Sequence, residues 1–166
     1  MDDQHKSSNG FHLAQLNIAR ALAPMDDPLL RDFVAALDDV NALAERSPGF
    51  VWRLKSDSGN ATDIRAYDDP LMIVNLTVWD GIDALFDFTY RSGHARIMAR
   101  RRDWFEKMSQ PHMVLWWIPA GHLPDMAEAK ERLDLLQQRG PSPEAFTFKA
   151  RFAAPSAAAT DLVTAK

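Results

Sequence analysis

The chain has 166 residues, 46% of them hydrophobic, with a formal net charge of −4 and no cysteine. That length is about one domain, and the acidic balance argues against a nucleic-acid or anionic-membrane partner. The missing cysteines exclude disulfides, thiolate metal sites and cysteine nucleophiles, while no apolar run nears the roughly 18 residues of a membrane span.

Residues 1–10, MDDQHKSSNG, are polar and acidic, unlike a signal peptide. They read as a disordered leader, and the lack of cysteine fits a cytoplasmic protein. Residues 11–20, FHLAQLNIAR, alternate as a strand: Leu13, Gln15, Asn17 and Ala19 face one way, His12, Ala14, Leu16 and Ile18 the other. Asp27 then caps a helix that opens on Pro28 and carries an apolar stripe from Leu30 to Ala44. Ser47-Pro48-Gly49 ends it. FVWRLK (50–55) is a second strand, and residues 56–70, with turn chemistry at both ends, read as a hairpin arm. LMIVNLTVW (71–79) is the strongest strand, with Met72, Val74, Leu76 and Val78 on an apolar face and Ile73, Asn75, Thr77 and Trp79 on a mixed one.

The longest helical pattern runs over 82–108. Ile82, Phe86, Tyr90, Gly93, Ile97, Trp104 and Met108 share one stripe, with His94 and Arg101 at its edge. Gln110-Pro111 breaks this helix before a very apolar strand, HMVLWWI (112–118). Asp125 and Glu128 form a capping box for a helix over 126–139, stopped by Gly140-Pro141. AFTFKARF (145–152) reads as a last strand. Residues 11–153 make one domain, and 154–166 a disordered tail.

This order is the split βαβ arrangement of a ferredoxin-like α+β protein: an antiparallel sheet with helices on one face. If the helices take the apolar faces, the face bearing Gln15, Asn17, Arg53, Asn75, Thr77 and Trp79 is left unshielded. A second copy across a two-fold axis would cover it.

LAQLNIAR, FVAALDDVNALAERSPGFVWRL, MIVNLTVWDGIDAL, FTYRSGHARIMARRRDWFEKM, PHMVLWWIPAGHLP and AFTF together resemble domain of unknown function 3291, a bacterial family. The resemblance spans about residues 13–149. It implies a ferredoxin-like protomer pairing as a dimeric α+β barrel, a homodimer. Wider relatives include antibiotic-biosynthesis monooxygenases and haem-degrading enzymes, some of which carry a ligand histidine on the helix corresponding to that of His94. The fold itself supports analogy only.

Two constellations stand out. His94, at the margin of an aromatic helix face beside Gly93, has the chemistry to move a proton or to ligate haem iron; Tyr90, Arg91 and Arg101 are its neighbours in helical space. Its plain alternative is a capped, partly exposed helix histidine. Asn17, Asn75, Trp79 and Trp117 could hold an incipient enolate or phenolate, since such chemistry needs donors aimed at developing charge. Their plain alternative is satisfied sheet amides and filler rings. His12, His112 and His122 lack metal-site spacing, and no phosphate loop or nucleophile elbow occurs.

The reading is a small monooxygenase-like oxidoreductase acting on a hydrophobic aromatic molecule in a pocket between sheet and helices, cofactor-independent or haem-dependent. Its catalytic residues would be His94, Asn75 and Trp79, with Tyr90, Gly93, Asn17, Trp117 and Arg91 at the substrate and no metal unless His94 binds haem. The alternative is a non-catalytic dimer that binds haem or another small hydrophobic ligand.

Overall fold

The computed structural model describes residues 10–155. The expected leader and tail lie outside the described residues, apart from Gly10, Ala154 and Pro155. Strands β1 (Phe11–Arg20), β2 (Phe50–Arg53), β3 (Met72–Trp79) and β4 (Met113–Pro119) form one antiparallel sheet in the order β2-β3-β1-β4. Helices α1 (Arg31–Glu45) and α2 (Ile82–Arg91) make the two crossovers, giving the ferredoxin-like α+β fold. Two short helices, α3 (His94–Ala99) and α4 (Arg101–Trp104), follow α2, and α5 (Met126–Arg139) follows β4. Among the described residues, no helix is long and apolar enough to cross a membrane.

The crossover helices share one face of the sheet, but it is the mixed face. Leu13, Trp79 and Leu115 pack there against Ala44 of α1 and Leu85 of α2. The more apolar face, built on Leu16, Leu76, Val78 and Trp116, is covered instead by Ala129, Leu133 and Leu136 of α5 and by Leu54, Ile64 and Tyr67 before β3. Both faces are therefore shielded within one chain, and a second copy is not needed to cover the mixed one. The reason is chemical. Gln15 and Thr77 are buried on the mixed face, but Gln15 Nε2 donates to Thr77 Oγ1, which removes much of the cost of burying polar groups.

The helix expected over 82–108 is three helices. Ser92 is extended (φ −108°, ψ −176°); its hydroxyl donates to the Phe88 carbonyl and accepts from the His94 N–H. A serine that bonds the backbone in this way competes with the helical ladder, and Gly93 behind it gives α3 little reason to stay in line. The break changes which residues point inward. On α2 the buried positions are Leu85 and Thr89, whereas Tyr90 is 47% exposed. The chain leaves α4 at Phe105, which bridges to Ala21.

Two further elements are less regular than expected. Residues 56–70 form turns rather than a hairpin arm, because Ser56, Asn60 and Asp69 side chains accept from backbone N–H groups two residues on. The last strand shrinks to one bridge, in which Phe146 and Leu115 exchange two backbone hydrogen bonds of 2.8 Å. Asp125 caps α5 as the sequence suggests, whereas Asp27 caps a three-residue 3-10 turn, Pro28–Leu30, and α1 follows it with no side-chain cap of its own. Glu128, however, does not complete its capping box: its carboxylate accepts from Trp116 Nε1 at 2.9 Å and His122 Nε2 at 2.7 Å.

Trp104 anchors the third core cluster with Ala21 and Leu30, its ring 5.5 Å from that of Phe33 and only 2% exposed. Trp104→Ala should cost about 3–5 kcal/mol. Chemical denaturation measures this directly, and a variant as stable as the parent would show that the cluster contributes nothing.

Candidate functional site

The register of β1 on β3 sets three residue pairs in a row on the mixed face: Asn17 opposite Asn75, Gln15 opposite Thr77, and Leu13 opposite Trp79. Hydrogen bonds link them into a chain. Trp79 Nε1 donates to Thr77 Oγ1 at 2.9 Å, and Gln15 Nε2 donates to the same oxygen at 2.9 Å and to Asn75 Oδ1 at 2.7 Å. With its oxygen engaged, the Asn75 carboxamide presents its NH₂ as a donor. Asn17 Oδ1, beside it, is buried without a hydrogen-bond partner.

Asn17 and Asn75 line a cavity of about 110 Å³ between the sheet and α1. Its other walls include Phe33, Leu37 and Asn41 of α1, Arg53 of β2 and Thr62. The Arg53 side chain is 13% exposed and donates to Glu45 at 2.7 Å. The cavity thus pairs one unused buried acceptor with amide and guanidinium donors, against an apolar helix face.

A second and larger space, of about 730 Å³, runs along α2 from Gly81 to Ser92. Trp117 and Arg91 line it, together with Phe88, Ser92 and Arg151. The expected site residues are therefore divided between two spaces. Trp79 stands between them. Its indole N–H is committed to Thr77, and its ring stacks on Phe88 (centroids 5.1 Å, interplanar 29°). Phe88 in turn packs on the His94 ring at 4.9 Å. At about 3.3 Å per residue, Asn75 is roughly 13 Å up the strand from Trp79.

The remaining candidates lie apart from both amides. Tyr90 turns outward onto Phe86 and Phe148. Gly93 has ordinary helical dihedrals (φ −59°, ψ −19°), and a Cβ there would meet only Leu43 Cδ2 at 3.4 Å. Its smallness eases the approach of α3 to α1 rather than of a ligand to His94.

His94 Nδ1–H donates to the Thr89 carbonyl at 3.3 Å, which leaves Nε2 with the free lone pair when the ring is neutral. Burial pushes its pKa down, against a smaller upward pull from that carbonyl. The imidazole is on the wall of neither cavity. These residues do not fit a haem ligated by His94, because the space large enough for the macrocycle offers it no imidazole. Among the described residues, no three His, Asp or Glu side chains gather as a metal site.

Sequence reasoning passed over Gln15, Thr77 and Phe88 as site residues. Gln15 and Thr77 were legible on the mixed face, but their bonding depends on register. Phe88 was hidden by the wrong helix phase.

The pH dependence of stability tests the His94 environment. Burial favours neutral His94, so below its ordinary value of 6.5 the unfolded chain binds the extra proton first. Its contribution is complete above that value and is lost as pH falls through the lowered one. His112, likewise pushed down chiefly by burial, acts in the same sense. Melting temperatures of His94→Gln and His112→Gln, recorded against pH, should each fall less steeply below 6.5 than the parent's. A His94→Gln profile parallel to the parent's would show that the imidazole is not held neutral.

Comparison with known proteins finds a match over residues 12–162 to a domain of unknown function (DUF3291). No curated protein matches the chain. Among solved structures, SnoaB, a cofactor-independent oxygenase from Streptomyces nogalater, is 18% identical, with a TM-score of 0.42, over 69% of this chain and 98% of its own. A candidate antibiotic biosynthesis monooxygenase from Nitrosomonas europaea is 14% identical, with a TM-score of 0.43, over 70% and 96%. A protein of unknown function from the same organism is 20% identical, with a TM-score of 0.41, over 70% and 98%. No residue role carries across likenesses this distant. The family match covers nearly the whole chain, which belongs to the DUF3291 family.

Proposed function

We propose that the protein is a small oxidoreductase of the cofactor-independent monooxygenase kind, acting on a hydroxylated, hydrophobic aromatic molecule between α1 and the sheet. One observation carries this reading: Gln15 fixes Asn75 as a donor beside the unpartnered acceptor of Asn17. An aromatic hydroxyl needs that combination. Asn17 Oδ1 accepts the substrate O–H, and Asn75 Nδ2 donates to the same oxygen as it ionises, the proton passing to solvent at the exposed Asn75 side. For a phenol with an open ring position, one molecule of oxygen balances the reaction. One atom becomes a new ring carbonyl, the other leaves as water, and the substrate supplies all the electrons.

In this reading Trp79 acts through Thr77 and Gln15 on the orientation of Asn75, and does not itself touch the reacting oxygen. His94 handles a proton only at the Phe88 end of the chain, remote from the amide pair. Leu37 and Phe33 supply the apolar wall over the substrate ring.

A second reading, binding without turnover, is favoured by a different observation. No His, Asp, Glu or Lys is on the wall of the amide cavity, so no side chain there serves as a general base. Haem as the ligand would then have to bind without His94.

Oxygen uptake with a panel of single-ring quinols and phenols, the size that a cavity of about 110 Å³ admits, decides between the two. On the first reading the parent consumes oxygen, and Asn75→Ala lowers kcat/KM by about 10²–10³-fold, the usual effect of removing one such donor. Asn75→Asp, which replaces the donor by an acceptor, does not restore it. Quenching of tryptophan fluorescence by the same compounds with no oxygen uptake would leave only the binding reading.

The homodimer also belongs to this proposal. Leu22, Leu29 and Val34, exposed around the start of α1, give two copies an apolar surface other than the covered mixed face. Light scattering should give twice the chain mass at micromolar concentration; a monomer there would remove the pairing.

A further inference from the structure

The amide cavity has a second polar end that the Asn17–Asn75 pair does not use. Arg53 of β2 is opposite Thr77 in the register, and so on the same face of the sheet as Asn75. Strand β3 separates it from Asn17, which puts the two residues two strands apart, about 10 Å across the sheet. The Arg53 side chain is 13% exposed and borders the cavity. Its Nε donates to Glu45 Oε1 at 2.7 Å, the one hydrogen bond of this guanidinium among the described residues. Nη1 and Nη2 thus carry N–H groups with no protein acceptor, and neither nitrogen is sealed away from water-sized space.

Asn60 adds to this end. Its Oδ1 accepts from the Thr62 backbone N–H at 2.9 Å and from the Thr62 hydroxyl at 2.6 Å, which leaves Nδ2 as the unused group of the carboxamide. Asn60 and Thr62 both line the cavity. The two ends therefore differ in kind. At Asn17 and Asn75 an acceptor stands beside a donor, whereas Arg53 and Asn60 offer donors. Asn41 of α1, also on the wall, can turn either side of its amide inward and leaves that contrast unchanged. Donors of this kind suit an oxygen that has lone pairs and no hydrogen of its own. Glu45 already balances the guanidinium charge, and a carboxylate would bring a second negative charge against it. A neutral carbonyl fits better.

We propose that Arg53 is a specificity-determining residue, which selects a single-ring phenol carrying a carbonyl group across the ring from its hydroxyl. The inference rests on the reading of Asn17 and Asn75 as the hydroxyl end. The carbonyl oxygen accepts from Arg53, a charge-assisted bond, and from Asn60. This arrangement also answers the lack of a base on the wall. When the hydroxyl ionises, its negative charge spreads through the ring onto the carbonyl oxygen, where Arg53 meets it. The ring positions beside the hydroxyl stay open to oxygen.

Para-hydroxyacetophenone and para-ethylphenol, alike in size, are titrated against the full chain by isothermal calorimetry without oxygen present. The ketone should bind about tenfold more tightly, the worth of one hydrogen bond to a charged group. Arg53→Met keeps the apolar stem and should remove most of that preference. The ratio of the two affinities on one variant is independent of how much of it is folded. Asn60→Asp keeps the acceptor for Thr62 while removing the donor, and it should weaken the ketone more than para-ethylphenol. Bound ketone should ionise at a lower pH than free ketone, read from its phenolate absorbance, and Arg53→Met should cancel that shift. Asn75→Ala should weaken both phenols alike and leave their ratio intact. If it weakens neither while Arg53→Met still removes the preference, the hydroxyl end is misread and the carbonyl end stands. Absence of oxygen uptake with both compounds likewise counts against the oxidation and not against the selectivity. The inference is overturned if the parent binds the two phenols equally or binds neither. It also fails if Arg53→Met keeps the full preference, or if para-hydroxybenzoate binds more tightly than the ketone.

Discussion

The hydroxyl of Thr77 is the point on which this structure turns. It accepts from Gln15 Nε2 and from Trp79 Nε1, each at 2.9 Å, in a region where neither donor meets water. An unpaired buried donor costs about 1–3 kcal/mol. Without that oxygen the Trp79 indole N–H would be stranded, and Gln15 Nε2 would keep only Asn75 as an acceptor. With it, a face carrying two amides, a hydroxyl and an indole becomes a surface on which two crossover helices can sit. The same bond fixes the plane of Gln15, and Gln15 fixes Asn75. Fold and candidate chemistry therefore rest on one oxygen atom.

Helix α1 lines the smaller of the two spaces and α2 the larger. The start of α2 is held by the turn at Gly49, where φ is +83° and an added Cβ would collide with Asp80 and Ala84. No other residue type allows β2 to begin so close to the helix that follows β3. Leu85 and Thr89 face inward, while Phe88 packs between Trp79 and His94 and lines the larger cleft.

Much of this was legible in the sequence, and the parts that were not have physical reasons. Strand alternation is local, so β1 and β3 were readable with their two faces and the amides on one of them. The caps at Asp27 and Asp125 were readable too, because one side chain and one nearby N–H decide them. Which face the helices cover was not local. It depended on α5 and on residues 54–67 supplying a competing cover for the more apolar side. The stripe from Ile82 to Met108 failed at Ser92, because a hydroxyl–carbonyl bond outweighed a periodic pattern running through it. Once the helix broke there, Tyr90 went outward and Phe88 inward. Asn17 and Asn75 came together because they were read on the right face; Trp117 and Arg91 did not, because the pocket assumed to be single is two.

The packing of α1 bears on why the amide cavity exists. Fifteen residues long, this helix has only Ala44 fully buried; Phe33, Leu37, Val40 and Leu43 are partly exposed although they carry its apolar stripe. A sequence selected for stability alone would fill the space beneath them, since closing a void of this kind commonly gains about 0.5–2 kcal/mol. Here the space is bordered instead by an unpartnered Asn17 oxygen, a further cost in the same place. Two unfavourable features at one location, each removable by a single apolar substitution, are what a binding site leaves behind when its ligand supplies the missing contacts. The ring of a substrate would complete the burial of Phe33 and Leu37, and its hydroxyl would satisfy Asn17. On that account ligand binding should tighten α1 against the sheet, and the helix amides of residues 33–43 should exchange with solvent more slowly in the ligand's presence than in its absence.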